Sequence, residues 1–150
     1  MILLYGHPKT GKTHLLKQMG WGQDLDTLIW QHSQKRQASL KDLFLNSPKQ
    51  FQDLEHHALH QTPTALMALG GSTLLRTVPP KEATVIYLHT PFEVLKKRWQ
   101  ISKPASLKDQ APHLFYDARH THYLATAHLI LPSSSVWNIE NIQRMVKIKQ

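Results

Sequence analysis

The sequence predicts an α/β domain of three layers, with a central parallel sheet covered by helices on both faces. Short apolar runs alternate along the chain with stretches of helical period. The runs are apolar on successive residues, as in strands buried on both sides. Intervening segments are long enough for the crossovers that parallel strands need.

Each element has a local reason. Ile2-Leu3-Leu4-Tyr5 reads as a buried strand. A helix follows from Lys12 to Met19, with Gly20 as its stop. Residues 26–35 form a helix on the apolar bulk of Leu28, Ile29 and Trp30. Ser39 caps the next short helix, with Asp42 three residues on. Ser47-Pro48-Lys49-Gln50 opens another, with Ser as cap and Pro at the first helical position, running to Gln61. Residues 64–69 give a second strand that ends in Gly70-Gly71, and residues 83–88 the clearest strand, rich in β-branched and aromatic side chains. Thr90-Pro91-Phe92-Glu93 has the form of a capping box before a helix to Gln100. Residues 101–112 are a polar, Pro-containing loop, suited to a mobile lid. A helix over 113–126, a strand over 128–131 and a closing helix from Val136 complete the chain.

Composition narrows the function. The 150 residues make one domain, and the absence of Cys excludes disulfides, thiolate metal sites and cysteine nucleophiles. No apolar run approaches the roughly 20 residues of a membrane span. The start, MILLYGHPKTGK, lacks the basic region and cleavage site of a signal peptide, so a cytoplasmic protein without a membrane partner is expected. The formal charge of +8 favours anionic partners. Residues 1–75 hold 7 basic and 5 acidic side chains, and residues 76–150 hold 11 and 5. No arginine-rich arm or block of five like charges occurs, which argues against nucleic acid as partner.

Gly6-His7-Pro8-Lys9-Thr10-Gly11-Lys12-Thr13 fits G-x-x-x-x-G-K-[ST] at every position. Such a loop turns its backbone N–H groups inward on phosphate oxygens, and the helix that starts there adds its positive end. It follows a strand and opens a helix, as the motif requires. Gly6 to Thr13, with His14 beside them, are the expected nucleotide-binding residues. Lys12 is placed to reach the β- and γ-phosphates, and the Thr13 hydroxyl to ligate Mg²⁺.

Later segments resemble the shikimate kinase family. Asp24-Leu25-Asp26-Thr27-Leu28-Ile29 resembles its D-x-D-x-x-I element. Ser39-Leu40-Lys41-Asp42-Leu43-Phe44 is similar to its S-I-x-E-I-F segment, and Phe51-Gln52-Asp53-Leu54-Glu55 to F-R-x-x-E. Ala68-Leu69-Gly70-Gly71-Ser72 resembles its strand ending in a glycine triplet. Val85-Ile86-Tyr87-Leu88 with Pro91, Leu95 and Arg98 is similar to V-Y-L-x-x-x-P-x-x-L-x-x-R, and Arg119 with Tyr123 to R-x-P-L-Y. The order is collinear over residues 1–148.

The resemblance implies a P-loop kinase fold with a parallel sheet of about five strands and a lid loop. It implies a monomer that moves the γ-phosphate of ATP to the 3-hydroxyl of shikimate, a step toward aromatic amino acids. Asp26 would hold the acceptor hydroxyls and take a proton. Asp24 would position Mg²⁺, partly through water. Gly70 and Gly71 would bring backbone N–H groups to the acceptor, and Arg119 would grip its carboxylate. Lys103, in Lys103-Pro104-Ala105-Ser106 at the place of the lid motif R-P-L-L, would contact the nucleotide.

The departures cluster at the acceptor end. Gln52 stands where the family has a carboxylate-binding arginine, Lys103 where it has the lid arginine, and Ser72 where it has the third glycine. A neutral amide loses a charge-assisted fork unless another cation substitutes. His56, His57 and Arg36 are the candidates. His56 and His60 also have the i, i+4 spacing of a metal-chelating pair, without a third ligand in sight. Other readings of the same chain are a kinase of another acceptor, such as gluconate or a nucleotide, and a nucleotide-binding pseudokinase.

Overall fold

The computed structural model of the chain describes residues 1–134, 140–142 and 144. Five strands pair in parallel: β1 (Ile2–Tyr5), β2 (Gln23–Asp24), β3 (Leu66–Ala68), β4 (Thr84–His89) and β5 (Leu129–Pro132). Their order is β2-β3-β1-β4-β5, so the chain fills one side of β1 and then crosses to the other. Seven helices are described: α1 (Lys12–Met19), α2 (Leu25–His32), α3 (Leu40–Asn46), α4 (Pro48–Gln61), α5 (Thr73–Arg76), α6 (Phe92–Ile101) and α7 (Pro112–Thr126).

Strand alternation divides the core. Leu3, Tyr5, Met67, Val85 and Tyr87 turn to one face, where Leu25 and Ile29 of α2, Phe51 and Leu59 of α4 and Tyr123 of α7 meet them. Ile2, Leu4, Ile86 and Leu88 turn to the other, against Leu15 and Leu16 of α1 and Ile142. A third cluster joins Leu95 and Trp99 of α6 to Phe115 and Tyr116 of α7, with Leu107 of the intervening loop. Among the described residues, no helix is long and apolar enough to cross a membrane.

Four elements differ from the sequence reading. The edge strand β2 has two residues, Gln23 and Asp24, in register with Met67 and Ala68 of β3, and two residues show no period. Thr90 does not cap α6: its hydroxyl bonds Thr10 and, at 2.5 Å, Ser133, while Pro91 stands at the N-cap. Helix α2 ends at His32 rather than Lys35, because Ser33 Oγ donates to the Trp30 carbonyl at 2.6 Å and Gln34 and Lys35 take positive φ. The four-residue α5 was not expected at all. The loop over 101–112 is pinned at its middle by a 3-10 turn, Ala105–Leu107, whose Leu107 is buried. The closing helix expected from Val136 lies mostly outside the described residues, of which 140–142 and 144 are helical.

The carboxyl ends of β1, β3 and β4 face the place where the chain changes sides, the usual ligand crevice of an open α/β sheet. Gly6, the residue after β1, has φ of 154°, and a Cβ there would stand 2.7 Å from the Leu88 carbonyl oxygen. Only glycine fits. Gly6→Ala should therefore lower the unfolding free energy by about 1–3 kcal/mol, read from the denaturant midpoint; an unchanged midpoint would show that the turn carries no such constraint.

Candidate active site

The phosphate loop runs from Gly6 to Thr13, between β1 and α1. Lys9 and Gly11 hold the turn with φ of 68° and 109°. Each carbonyl from Gly6 to Gly11 has a donor. Lys12 Nζ donates to Gly6 and His7 at 2.7 and 2.8 Å. Trp99 Nε1 donates to Pro8 at 2.9 Å, and Arg98 to Lys9 and Thr10 at 2.9 and 3.4 Å. The Leu15 N–H takes Gly11 at 2.9 Å. The loop is thus strapped from behind by α6.

His7 is turned into the core and does not line the cleft. Its ring stacks on Tyr116 at 4.2 Å, and Nε2 donates to the Tyr116 carbonyl at 3.0 Å. Burial, with no compensating charge, pushes its pKa down to about 3, so the imidazole stays neutral. The His7 side chain thus fastens the loop to α7 and leaves only its backbone to the nucleotide side. Gly6 likewise lies behind the loop, outside the cleft lining, because it is packed under Leu88.

A single cleft of about 890 Å³ extends from the loop over the carboxyl edge of the sheet, a size suited to a small ligand. Pro8, Lys9, Thr10, Gly11, Lys12 and Thr13 line its first end, with His14 exposed at the rim. Thr13 Oγ1 donates to Asp24 Oδ2 at 2.6 Å. The other Asp24 oxygen accepts from the Thr27 N–H at 3.2 Å and caps α2, which fixes both Asp24 and Asp26 at the start of that helix. Asp26 faces the cleft beside Gly70, whose Cβ, were there one, would meet Asp26 Oδ1 at 3.4 Å.

Two groups there are tuned. Asp26 is exposed to the open cleft, where desolvation by the surrounding protein raises its carboxyl pKa to about 6, the Asp24 charge adds to the rise, and Lys12 opposes it. Burial lowers the Lys12 pKa to about 8 against the pull of Asp26 and Asp24. Gly71 packs on the loop itself: a Cβ would sit 2.8 Å from Pro8 Cδ. Its carbonyl accepts from Tyr123 at 2.5 Å. The glycine pair therefore ties the phosphate loop to the acceptor end of the cleft.

The far end differs from the sequence reading. Gln52 is exposed, does not line the cleft, and donates to the Arg76 carbonyl at 3.3 Å. Arg119 lines a separate hollow of about 270 Å³ with Phe115 and His122. Its guanidinium lies 4.9 Å from the Phe115 ring, one helical turn back, a stacking that holds it there. Lys103 is exposed and outside the cleft, because the buried Pro104 takes the inward place before the 3-10 turn. His56 bonds Thr77 Oγ1 at 2.7 Å, His60 bonds the Val78 carbonyl at 2.9 Å, and His57 meets the ring of His32. Arg36 donates to Gln34 at 3.0 Å. None of these four lines the cleft. Among the described residues no group of three His, Cys, Asp or Glu side chains is placed to hold a metal.

Residues that the sequence reading passed over do line it. Phe44 and Phe51 form a wall, edge to face at 5.1 Å. Arg76 stands beside them, and Lys41 at the rim. The signal for Arg76 was faint: it is the only Lys or Arg between Lys49 and Lys81.

Solved structures share this fold. The cleft's fold is similar to that of shikimate kinase from Bacteroides thetaiotaomicron, with a TM-score of 0.64, 21% identity and cover of 98% of this chain and 96% of that one. It is similar to shikimate kinase from Acinetobacter baumannii in complex with shikimate, at 0.67 and 22%, over 98% and 90%. It is similar to shikimate kinase from Aquifex aeolicus, at 0.67 and 18%, over 99% and 94%. Comparison with curated protein sequences gives no match. The shikimate kinase family model matches residues 17–147, beginning just after the phosphate loop that the geometry identifies independently, and the chain belongs to the shikimate kinase family.

Proposed function

We propose that this protein transfers the γ-phosphate of ATP to the 3-hydroxyl of shikimate, as a monomeric single-domain enzyme of cytoplasmic aromatic amino acid biosynthesis. The observation that carries this is one continuous cleft, with a phosphate loop at one end and the poised carboxyl of Asp26 along its wall. Family membership supports the reaction class, an ATP-dependent phosphotransfer to an alcohol.

The chain's own groups divide the work. The loop N–H groups and the start of α1 would receive the phosphates. Lys12 would add its charge to the β- and γ-phosphates, two of its three N–H donors being already fixed on loop carbonyls. Thr13 and Asp24 offer a hydroxyl and a carboxylate side by side, hard oxygen donors of the kind Mg²⁺ accepts alongside phosphates and water. Bound there, Mg²⁺ would neutralise phosphate charge. Pro104, Ala105 and Ser106 border the same end and would help exclude water.

At the acceptor, the 3-hydroxyl oxygen would form its bond to the γ-phosphorus as the bond to the β–γ bridging oxygen breaks. The hydroxyl proton would pass to a carboxylate oxygen of Asp26, and ADP would leave. A carboxyl with a pKa about 6 is ionised at neutral pH yet basic enough to accept that proton. Gly70 and Gly71 would let the acceptor lie close to the backbone.

Purified protein with MgATP and shikimate should yield shikimate 3-phosphate by mass spectrometry. Asp26→Asn should lower kcat by about 10²–10⁴-fold, and Lys12→Ala should abolish detectable product. Absence of product from the wild type, with ATP still bound, would overturn the proposal.

The pH profile gives a second test. Asp26 acts ionised and Lys12 protonated, so kcat/KM for ATP should fall below pH about 6 and above about 8. Asp24→Asn removes the like charge that raises Asp26, and should move the acid limb to lower pH whatever its effect on rate. A profile that is level from pH 5 to 7 in the wild type would contradict the role of Asp26.

A further inference from the structure

The carboxylate of a shikimate-like acceptor needs a cation, and Gln52, in the arginine position of the F-R-x-x-E segment, is not one. We propose that Arg76, on α5, is the residue that holds it. The assignment rests on the proposed function for the nature of the acceptor, and it rests on geometry for the residue.

Glu55 is fully buried on α4, and a buried carboxylate must be paired. Arg76 Nε donates to Glu55 Oε1 at 2.8 Å and Nη2 to Oε2 at 2.7 Å. Thr73 Oγ1 adds a bond to Oε2 at 3.0 Å. This pairing uses one edge of the guanidinium. The end-on edge, made of Nη1 and Nη2, keeps a second fork for another carboxylate. The guanidinium lies 5.5 and 5.3 Å from the ring centres of Phe44 and Phe51, which set its plane. Arg76 lines the cleft and Glu55 does not, so the pair presents its positive end to a ligand.

Gln52 has a part in this. Its amide donates to the Arg76 carbonyl, so the residue that lacks the charge steadies the backbone of the one that has it. The other cation on this side, Lys41, is exposed at the rim and has no planar fork. The Phe44 and Phe51 rings beside Arg76 suit the apolar face of a carbocyclic acid, with its hydroxyls toward Asp26.

The test compares shikimate with its neutral analogue, in which a hydroxymethyl group replaces the carboxylate. Binding of each is measured by calorimetry with MgADP present. The wild type should prefer shikimate, and Arg76→Gln should reduce that preference by about tenfold to hundredfold while leaving the KM for ATP unchanged. Because Arg76→Gln strands the buried Glu55, the pair Arg76→Gln with Glu55→Gln is measured too, and should show the same loss in a folded protein. Retention of the wild-type preference in the double variant would overturn the assignment. Binding that depends on Arg76 without formation of the 3-phosphate would sink the proposed reaction and keep the residue. A wild type that binds neither compound would sink both.

Discussion

The main-chain carbonyls of residues 6–11 each need a donor, and they find it in three places. Lys12 serves Gly6 and His7 from within the loop, α6 serves Pro8, Lys9 and Thr10 through Trp99 and Arg98, and α1 serves Gly11. An unmet buried carbonyl is costly, so this arrangement leaves little freedom to the turn. The loop's position then fixes the rest. Gly71 packs on Pro8, His7 stacks on Tyr116, and the hydroxyl of Thr10 joins Thr90 and Ser133 at the end of β4 and just beyond β5. The donor end of the cleft is therefore a product of contacts from the whole carboxyl edge of the sheet.

The acceptor end depends on a different device. Asp24 and Asp26 are set by the start of α2, where Asp24 serves as cap, and its charge helps raise Asp26. Across the cleft, the buried Glu55 draws α5 onto α4 through Thr73 and Arg76. A short helix of four residues has little stability of its own. The ion pair, the aromatic stacking and the Gln52 bond supply what its length cannot.

What the sequence disclosed follows from range. The strands at 2–5 and 83–88, helix α1 and the phosphate loop are set by neighbours within one or two turns, and all were legible. So was the placement of Asp26 at a helix start, although Asp24 as the cap of that helix was not. Arg76 was not, because its role comes from a partner 21 residues away on another helix. Arg119 and Lys103 were placed in the cleft by resemblance, and the structure turns both elsewhere, one onto Phe115 and the other to solvent. Thr90 was read as a cap from its local pattern, whereas its hydroxyl is taken by Thr10 and Ser133 from distant segments. Local pattern located the donor end; the acceptor end needed the fold.

The most direct test of the account is a crystal structure of the protein with MgADP and shikimate. The phosphates are expected against the loop N–H groups and Lys12, the shikimate carboxylate on the free edge of Arg76, and the 3-hydroxyl at Asp26. Shikimate with its carboxylate on Arg119 in the second hollow, or with its 3-hydroxyl away from Asp26, would contradict it.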